Sequence, residues 1–583
     1  MASSRSRSGS SGNGDASPRG NNQGPDGTTG TPDHLASERE LIVVAAASAQ
    51  LRAQPSGLQS LAAADTGSLT ALLEQENITL VPLFGPDEEI HRERAAVTPS
   101  AALAGATAQL ATFYRVQAPD DRLDALAARL VSDPLVTAAY VKPPTEPSAV
   151  MAPPPAVQPA VTPDFTARQG YLDAAPGGIE ATWAATQAGG DGAGVQIIDV
   201  EGAWLFTHED LAQNAGGVLT GTPTPDIGWR NHGTAVIGEF GADVNGFGTT
   251  GIAPGAFVRG ASIFGGTGSA NAIRQAADAL NAGNIILLEL HRPGPRFNFA
   301  SRNDQRGYIA IEWWPDDLAA VLYATSKGII VVGAGGNGAE DLDDPIYDAA
   351  PAGFPADWRN PFNPANPSSG AVIAGAGAPP PGTHGRDHGP DRSRLDFSNY
   401  GSRIDAQGWG REVTTTGYGD LQNGADERFW YTDVFSGTSS ASPIVVGALA
   451  ALQGIQLAAG RTALTPDRAR EVLRATGSPQ QDGPSGPATQ RIGNRPDLRA
   501  AAAYLTPAVI QSGLATQYWE ELKPYPPGPP SRLWLLVDNA WRHLDNPSDL
   551  VQELVQSAFL GSGSQVQVWY QADLVAGLVV NGS

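Results

Sequence analysis

Between about residue 165 and residue 505, short apolar stretches alternate with helix-period segments, and that alternation restricts the fold more than any other feature. Val195–Asp199, Phe257–Ile263, Ile285–Leu290, Ile329–Val332 and Val372–Ala376 are four to seven residues long and rich in Val and Ile. Ser269–Ala282, Asp316–Lys327, Ser440–Ala459 and Pro466–Thr476 carry apolar residues at helical spacing. Strands separated by helices cannot pair as hairpins, so this region is expected to form a mostly parallel sheet with helices on both faces.

The flanks have other compositions. Residues 1–38 are rich in Ser, Gly, Asn, Pro and Asp and hold too little apolar surface to fold. Residues 39–142 hold strand candidates at Leu41–Val44, Ala111–Val116 and Val136–Val141, with helix candidates at Ser68–Gln75 and Asp120–Leu130. This reads as a small α+β domain. Eight prolines between 143 and 163 make residues 143–164 an extended spacer, because proline fixes φ and has no N–H. After 506 comes a separate piece, with strands at Leu533–Val537 and Val566–Tyr570 around a helix at Asp549–Ala558.

Charge and cysteine content narrow the function. A net charge of −23 argues against nucleic acid or an anionic membrane as partner. With no cysteine there are no disulfides, thiolate metal sites or thiol nucleophiles. The first 40 residues show no apolar segment of signal-peptide kind, which favours a cytoplasmic location over export by a non-classical route.

Three motifs carry chemistry. Ser439 lies in Gly437-Thr438-Ser439-Ser440-Ala441-Ser442-Pro443, at the mouth of an apolar helix. A serine hydroxyl needs a base to take its proton and a fixed group to orient that base. His232, in Asn231-His232-Gly233-Thr234, also opens a helix. Asp199 ends the strand Val195–Asp199, at the edge where α/β sheets place their ligands. A fourth segment, Gly333-Ala334-Gly335-Gly336-Asn337-Gly338, runs a strand into a glycine turn, which can present donors to a developing oxyanion.

The order Asp…His…Ser, the His208-Glu209-Asp210-Leu211 segment after the aspartate, the Asn337 turn and Phe397-Ser398-Asn399-Tyr400-Gly401 together resemble the subtilisin-like serine proteases (subtilases). The resemblance implies a three-layer α/β domain over 165–505. It further implies that 39–142 is a propeptide-like domain, acting as intramolecular inhibitor or folding aid, and leaves 506–583 as an accessory domain with an unknown partner. It implies a serine endopeptidase in which Ser439 attacks, His232 shuttles the proton, Asp199 holds the imidazole and Asn337 stabilises the oxyanion of a protein or peptide substrate. No cofactor is required.

The chain also departs from the family pattern. Val200-Glu201-Gly202 replaces the small residues that usually follow the aspartate, which puts local hydrogen bonding at Glu201 in question. In Leu288-Glu289-Leu290-His291, Glu289 and His291 replace small residues on the strand expected to bind substrate, together with Gly335. Glu289 either lines or blocks the cleft, or pairs with Arg292, Arg296, Arg302 or Arg306 of the insertion 292–315. That insertion is either a wall over the cleft or, through Trp313 and Trp314, part of the core.

Subtilases often bind Ca²⁺, and the acids at 340–344 offer hard oxygens. No ligand set matches, however, and a solvated acidic loop is the plainer reading. His384 and His388 lie in a loop with little claim on zinc. Two rival readings stay open: a catalytically silent scaffold with an occluded cleft, and a Ser-His-Asp esterase, which would usually show Gly-x-Ser-x-Gly.

Overall fold

The computed structural model describes residues 37–54, 57–85, 88–147, 161–506, 511–520, 532–545, 547–561, 564–571 and 574–581. Most of the expected N-terminal tail and much of the proline-rich spacer lie outside these residues. The chain divides into two compact units, 1–501 and 502–583, each described here by itself.

In the larger unit a seven-stranded parallel sheet runs in the order Ala406–Trp409, Val372–Gly377, Ile330–Ala334, Ile285–Leu288, Gln196–Glu201, Phe257–Ser262, Ala215–Thr220. The chain builds outward from Gln196–Glu201 on one side and then returns to build from Ile285–Leu288 on the other. These two adjacent strands therefore flank the switch point of the topology, where an open α/β sheet leaves a crevice beyond its carboxyl ends. The outermost strands, Ala215–Thr220 and Ala406–Trp409, were not expected from the sequence. Both contain glycine and lack a β-branched run.

Side chains alternate across a strand, and the alternation here sorts core from site. Ile198, Val200, Ile286 and Leu288 join a buried cluster with Ile273, Ala276, Ala320 and Ala324 of the helices Ser269–Ala279 and Pro315–Ser326. Asp199, Glu201 and Leu287 have the opposite parity, with Leu287 registered against Asp199. On that side lie the helices Ile227–Gly241 and Thr438–Ala458. The 21-residue Thr438–Ala458 is apolar and long enough to cross a membrane by composition, but it is the buried core helix of this domain. Trp313 and Trp314 of the insertion are fully buried among the core aromatics, so the core reading of that pair holds.

Residues 40–142 form a four-stranded antiparallel sheet, in the order Leu80–Pro82, Phe113–Val116, Glu40–Ala45, Val136–Lys142. Leu41 and Val43 pack against its own helices through Leu69, Leu126 and Leu130. Ile42 and Val44 face the other way, into the cluster shared with the large domain. Two helices, Glu88–Val97 and Ala101–Leu110, were not foreseen. The join to the large domain is sealed by a buried ionic network. Lys142 Nζ donates to Asp316 and lies 3.2 Å from Asp317 Oδ2, both in the first turn of Pro315–Ser326. Arg292 and Glu40 complete it, and Ser269 Oγ links Arg292 to Asp317. Burial pulls the Lys142 pKa down, but the charges of Asp316 and Asp317 outweigh burial and hold it above its ordinary value.

The C-terminal unit departs from the expected pair of strands. It is a closed five-stranded barrel, Gln511–Glu520, Arg532–Val537, Ala540–Asp545, Leu574–Asn581, Gln565–Gln571, with the helix Asp549–Leu560 packed on it. Leu533, Leu535, Val537, Val555, Val566 and Val568 fill its core.

Removing one member of a buried ion pair leaves the other uncompensated. Lys142→Ala is expected to lower the stability of the larger unit by about 3–5 kcal/mol, read as a drop in melting temperature. An unchanged melting curve would show that Asp316 and Asp317 do not depend on this cation.

Candidate active site

The serine reaches the crevice because its helix begins there. Gly437 has φ 105°, in the left-handed half of the map where glycine is favoured, and turns the chain sharply into Thr438–Ala458. Pro443 supplies no N–H to the carbonyl four residues back, so the Ser439 carbonyl is free of the helical ladder. His232 lies in the helix Ile227–Gly241, which Asp226 caps by accepting from Trp229 N at 3.0 Å. The next residue must be small: a Cβ on Gly233 would sit 2.3 Å from the Ala203 carbonyl oxygen.

The side chain on the imidazole is Glu201. His232 Nδ1 hydrogen-bonds Glu201 Oε1. Asp199, expected to hold the ring, instead accepts from Trp204 Nε1 at 2.7 Å through Oδ2, and its Oδ1 has no hydrogen-bond partner. Residues 199 and 201 are two apart on one strand, so both project onto the histidine side. The longer glutamate, nearer the strand end, makes the contact.

Glu289 is fully buried and does not take the arginine partner weighed for it. Arg292, Arg296 and Arg302 pair with Asp317 and Glu40, with Glu340 and Asp344, and with Asp304. Glu289 continues the site-facing parity beyond Leu287 and accepts from Ser442 Oγ, one turn along from Ser439. Leu288 and Leu290 are core residues. The residue here whose backbone forms a bridge to another segment, at Glu146, is His291.

Asn337 is placed by its carbonyl end. Oδ1 accepts from Thr438 N at 2.9 Å and from Thr438 Oγ1 at 3.0 Å, next to the nucleophile, while Nδ2 donates to Gln305 Oε1 at 3.3 Å. The preceding Gly335 is pinned by Asn399, which donates to its carbonyl at 2.8 Å.

Burial governs the electrostatics. His232 is fully buried and its pKa falls to about 3, burial outweighing the opposing charge of Asp199. Its ring is therefore a neutral base. Burial also raises Asp199, Glu201, Glu239 and Glu289 well above the usual carboxylate range. The negative neighbours add to it at Asp199 and Glu289, and Glu289 does so at Glu239. Ser439 Oγ and His232 Nε2 are both buried, and the Ser439 hydroxyl also acts on the Glu289 carboxyl, opposing the effect of burial. A buried hydroxyl and a buried, unprotonated ring nitrogen are groups that acyl transfer can use.

The other sequence candidates are occupied locally. Glu340 takes Arg296 and Tyr347, Asp343 takes Ser402, and Asp344 caps a short turn. His388 Nε2 contacts Glu412 at 2.8 Å, and His384 bonds backbone carbonyls. Among the described residues no group of three or more His, Cys, Asp or Glu is arranged to hold a metal.

Residues 207–494 match the model of the subtilase family (Peptidase_S8). Subtilisin Savinase from Lederbergia lenta is 28% identical over 272 residues, 46% of this chain and 79% of that protein. An alkaline protease from Alkalihalobacillus alcalophilus is also 28% identical over 272 residues, 56% of its own length. In the crystal structure of the epidermin leader peptide processing serine protease from Staphylococcus aureus, the similarity covers 81% of this chain and all of that one, at 18% identity and a TM-score of 0.46.

Glu239 offers a test of the buried acids, since neither of its carboxyl oxygens has a partner. Its folded pKa is raised, so its neutral form is the one that fits the fold. The contribution of that form is full below the unfolded pKa and is lost as pH rises through the folded one. Glu239→Gln is expected to raise the melting temperature more at pH about 8 than at about 5. A pH-independent change would overturn this account.

Proposed function

We propose that this chain, whose residues 207–494 match the model of the subtilase family, hydrolyses peptide bonds through an acyl-enzyme formed on Ser439. His232 accepts the Ser439 proton at Nε2, which requires its own proton on Nδ1, donated to Glu201. Glu201 thereby fixes the tautomer and steadies the imidazolium that forms. Asp199, held by Trp204, is the acid behind Glu201. The Asn337 side-chain amide and the Ser439 N–H, at the helix start, stabilise the tetrahedral oxyanion. His232 then returns the proton to the leaving amine, and water repeats the sequence to release the acid. No step calls for a metal or cofactor. The observation that supports this reading is that Asn337 Oδ1 holds Thr438, next to Ser439, while His232 Nδ1 meets Glu201 at the carboxyl end of a strand flanking the switch point.

The N-terminal domain acts on the same site. Its chain leaves the small sheet after Lys142 and runs along the insertion. Glu146 N donates to His291 O at 3.3 Å, and His291 N donates to Glu146 O at 3.4 Å. This is the pose of an antiparallel substrate strand, and it supports the domain as an intramolecular inhibitor. The occluded-scaffold reading has one observation in its favour, the full burial of Ser439.

Labelling with a fluorophosphonate separates the two readings. The expected result is modification of Ser439, weak in the intact chain and just after a cut within 148–160, strong once the N-terminal part has dissociated, and absent in Ser439→Ala. No labelling at any of these stages would favour the scaffold. For the acids, Glu201→Gln is expected to lower kcat by about 10⁴ and Asp199→Asn by less. The reverse order would return the orienting role to Asp199.

A further inference from the structure

The insertion 292–315 does more than fill the core. It returns antiparallel along His291–Pro293 through Tyr308–Ala310, with His291 opposite Ala310 and Pro293 opposite Tyr308. This short ribbon sets two side chains against the strand 143–147. Tyr308 Oη donates to Glu146 Oε1 at 2.8 Å. Gln305 Nε2 donates to the Pro147 carbonyl at 3.1 Å, and its Oε1 receives the Asn337 amide. Gln305 has φ 52°, a left-handed conformation uncommon for a residue with a side chain. His291, which pairs with the Glu146 backbone, packs its ring 4.7 Å from that of Tyr308. The Glu146 side chain is thus enclosed, only 5% of the residue being exposed.

The neighbours of this carboxyl are uncharged. Tyr308 and Gln305 are hydrogen-bonding groups, and burial keeps the His291 imidazole neutral, its pKa falling to about 3. The guanidinium of Arg302, whose backbone N–H reaches Tyr308 Oη, is engaged by Asp304. Among the described residues no ion pair is formed to Glu146, and burial raises its pKa against the pull of Tyr308 and Gln305. A site with donors but no cation favours a polar, neutral side chain of this length over a charged one.

We propose that Tyr308, Gln305 and His291 form a substrate subsite that selects a glutamine or neutral glutamic acid side chain, a few residues on the amino side of the bond cleaved. The proposal rests on the serine-peptidase reading and supplies its specificity.

The test uses the full chain nicked within 148–160 and left until Ser439 labelling shows that the N-terminal part has dissociated, with fluorogenic peptides copying residues 141–151 and carrying Gln, Glu, Ala, Leu or Lys at the position of Glu146. The expected kcat/KM order at pH about 8 is Gln first, with Glu behind it; at pH about 5 Glu should approach Gln. Tyr308→Phe, checked for Ser439 labelling to show an intact fold, should narrow the Gln-to-Leu ratio by about tenfold. Equal cleavage of all five peptides, or a Tyr308→Phe effect shared equally by Gln and Leu, would overturn the subsite while leaving the peptidase standing. No cleavage together with no labelling of Ser439 would overturn both.

Discussion

A carboxyl group taken out of water must find a cation, a set of donors or a proton, and much of this molecule is arranged around that requirement. Two solutions lie on opposite faces of one sheet. On the face toward the N-terminal domain, Asp316 and Asp317 are met by Lys142 and Arg292, so charge is kept and balanced. On the site face, Asp199, Glu201, Glu239 and Glu289 are buried among hydroxyls, an indole and an imidazole, with no lysine or arginine paired to them among the described residues. There the carboxyls are driven toward their neutral forms, and the same burial strips the proton from His232. The chemistry proposed for Ser439 requires Glu201 to ionise against that environment, which the positive charge forming on His232 favours.

Much of the large domain was legible from sequence, for a physical reason. Buried parallel strands such as Ile285–Leu288 are continuous apolar runs, and the helices between them keep their period, so both signals survive without tertiary information. The strands that escaped notice lack such runs: Ala215–Thr220 holds two glycines, and Ala406–Trp409 is nearly side-chain-free at Gly408. The barrel was hidden for another reason. Gln511–Glu520 alternates exposed and half-buried positions that become a pattern only when the ends of the sheet meet.

At the site, motif spacing pointed to the residues but could not say which acid reaches the ring. Asp199 and Glu201 share one face of a strand, and the choice between them turns on a methylene and on Trp204 claiming Asp199. Glu289 was likewise visible as a departure, yet its contact with Ser442 joins positions far apart in the chain, which no local pattern encodes. The pairing of Glu146 with His291 has the same character.

The ionic seal at Lys142 has a consequence for how the two parts of the larger unit separate. The covalent tie between them is the spacer, whereas the grip is Lys142, Arg292 and a shared apolar cluster on the other side of the join. Cutting the spacer leaves that grip untouched. The immediate product of a cut is therefore a two-chain complex, and dissociation becomes a second, slower event that exposes two carboxylates together with apolar surface to water. Timing of release would then be set by off-rate rather than by the cut.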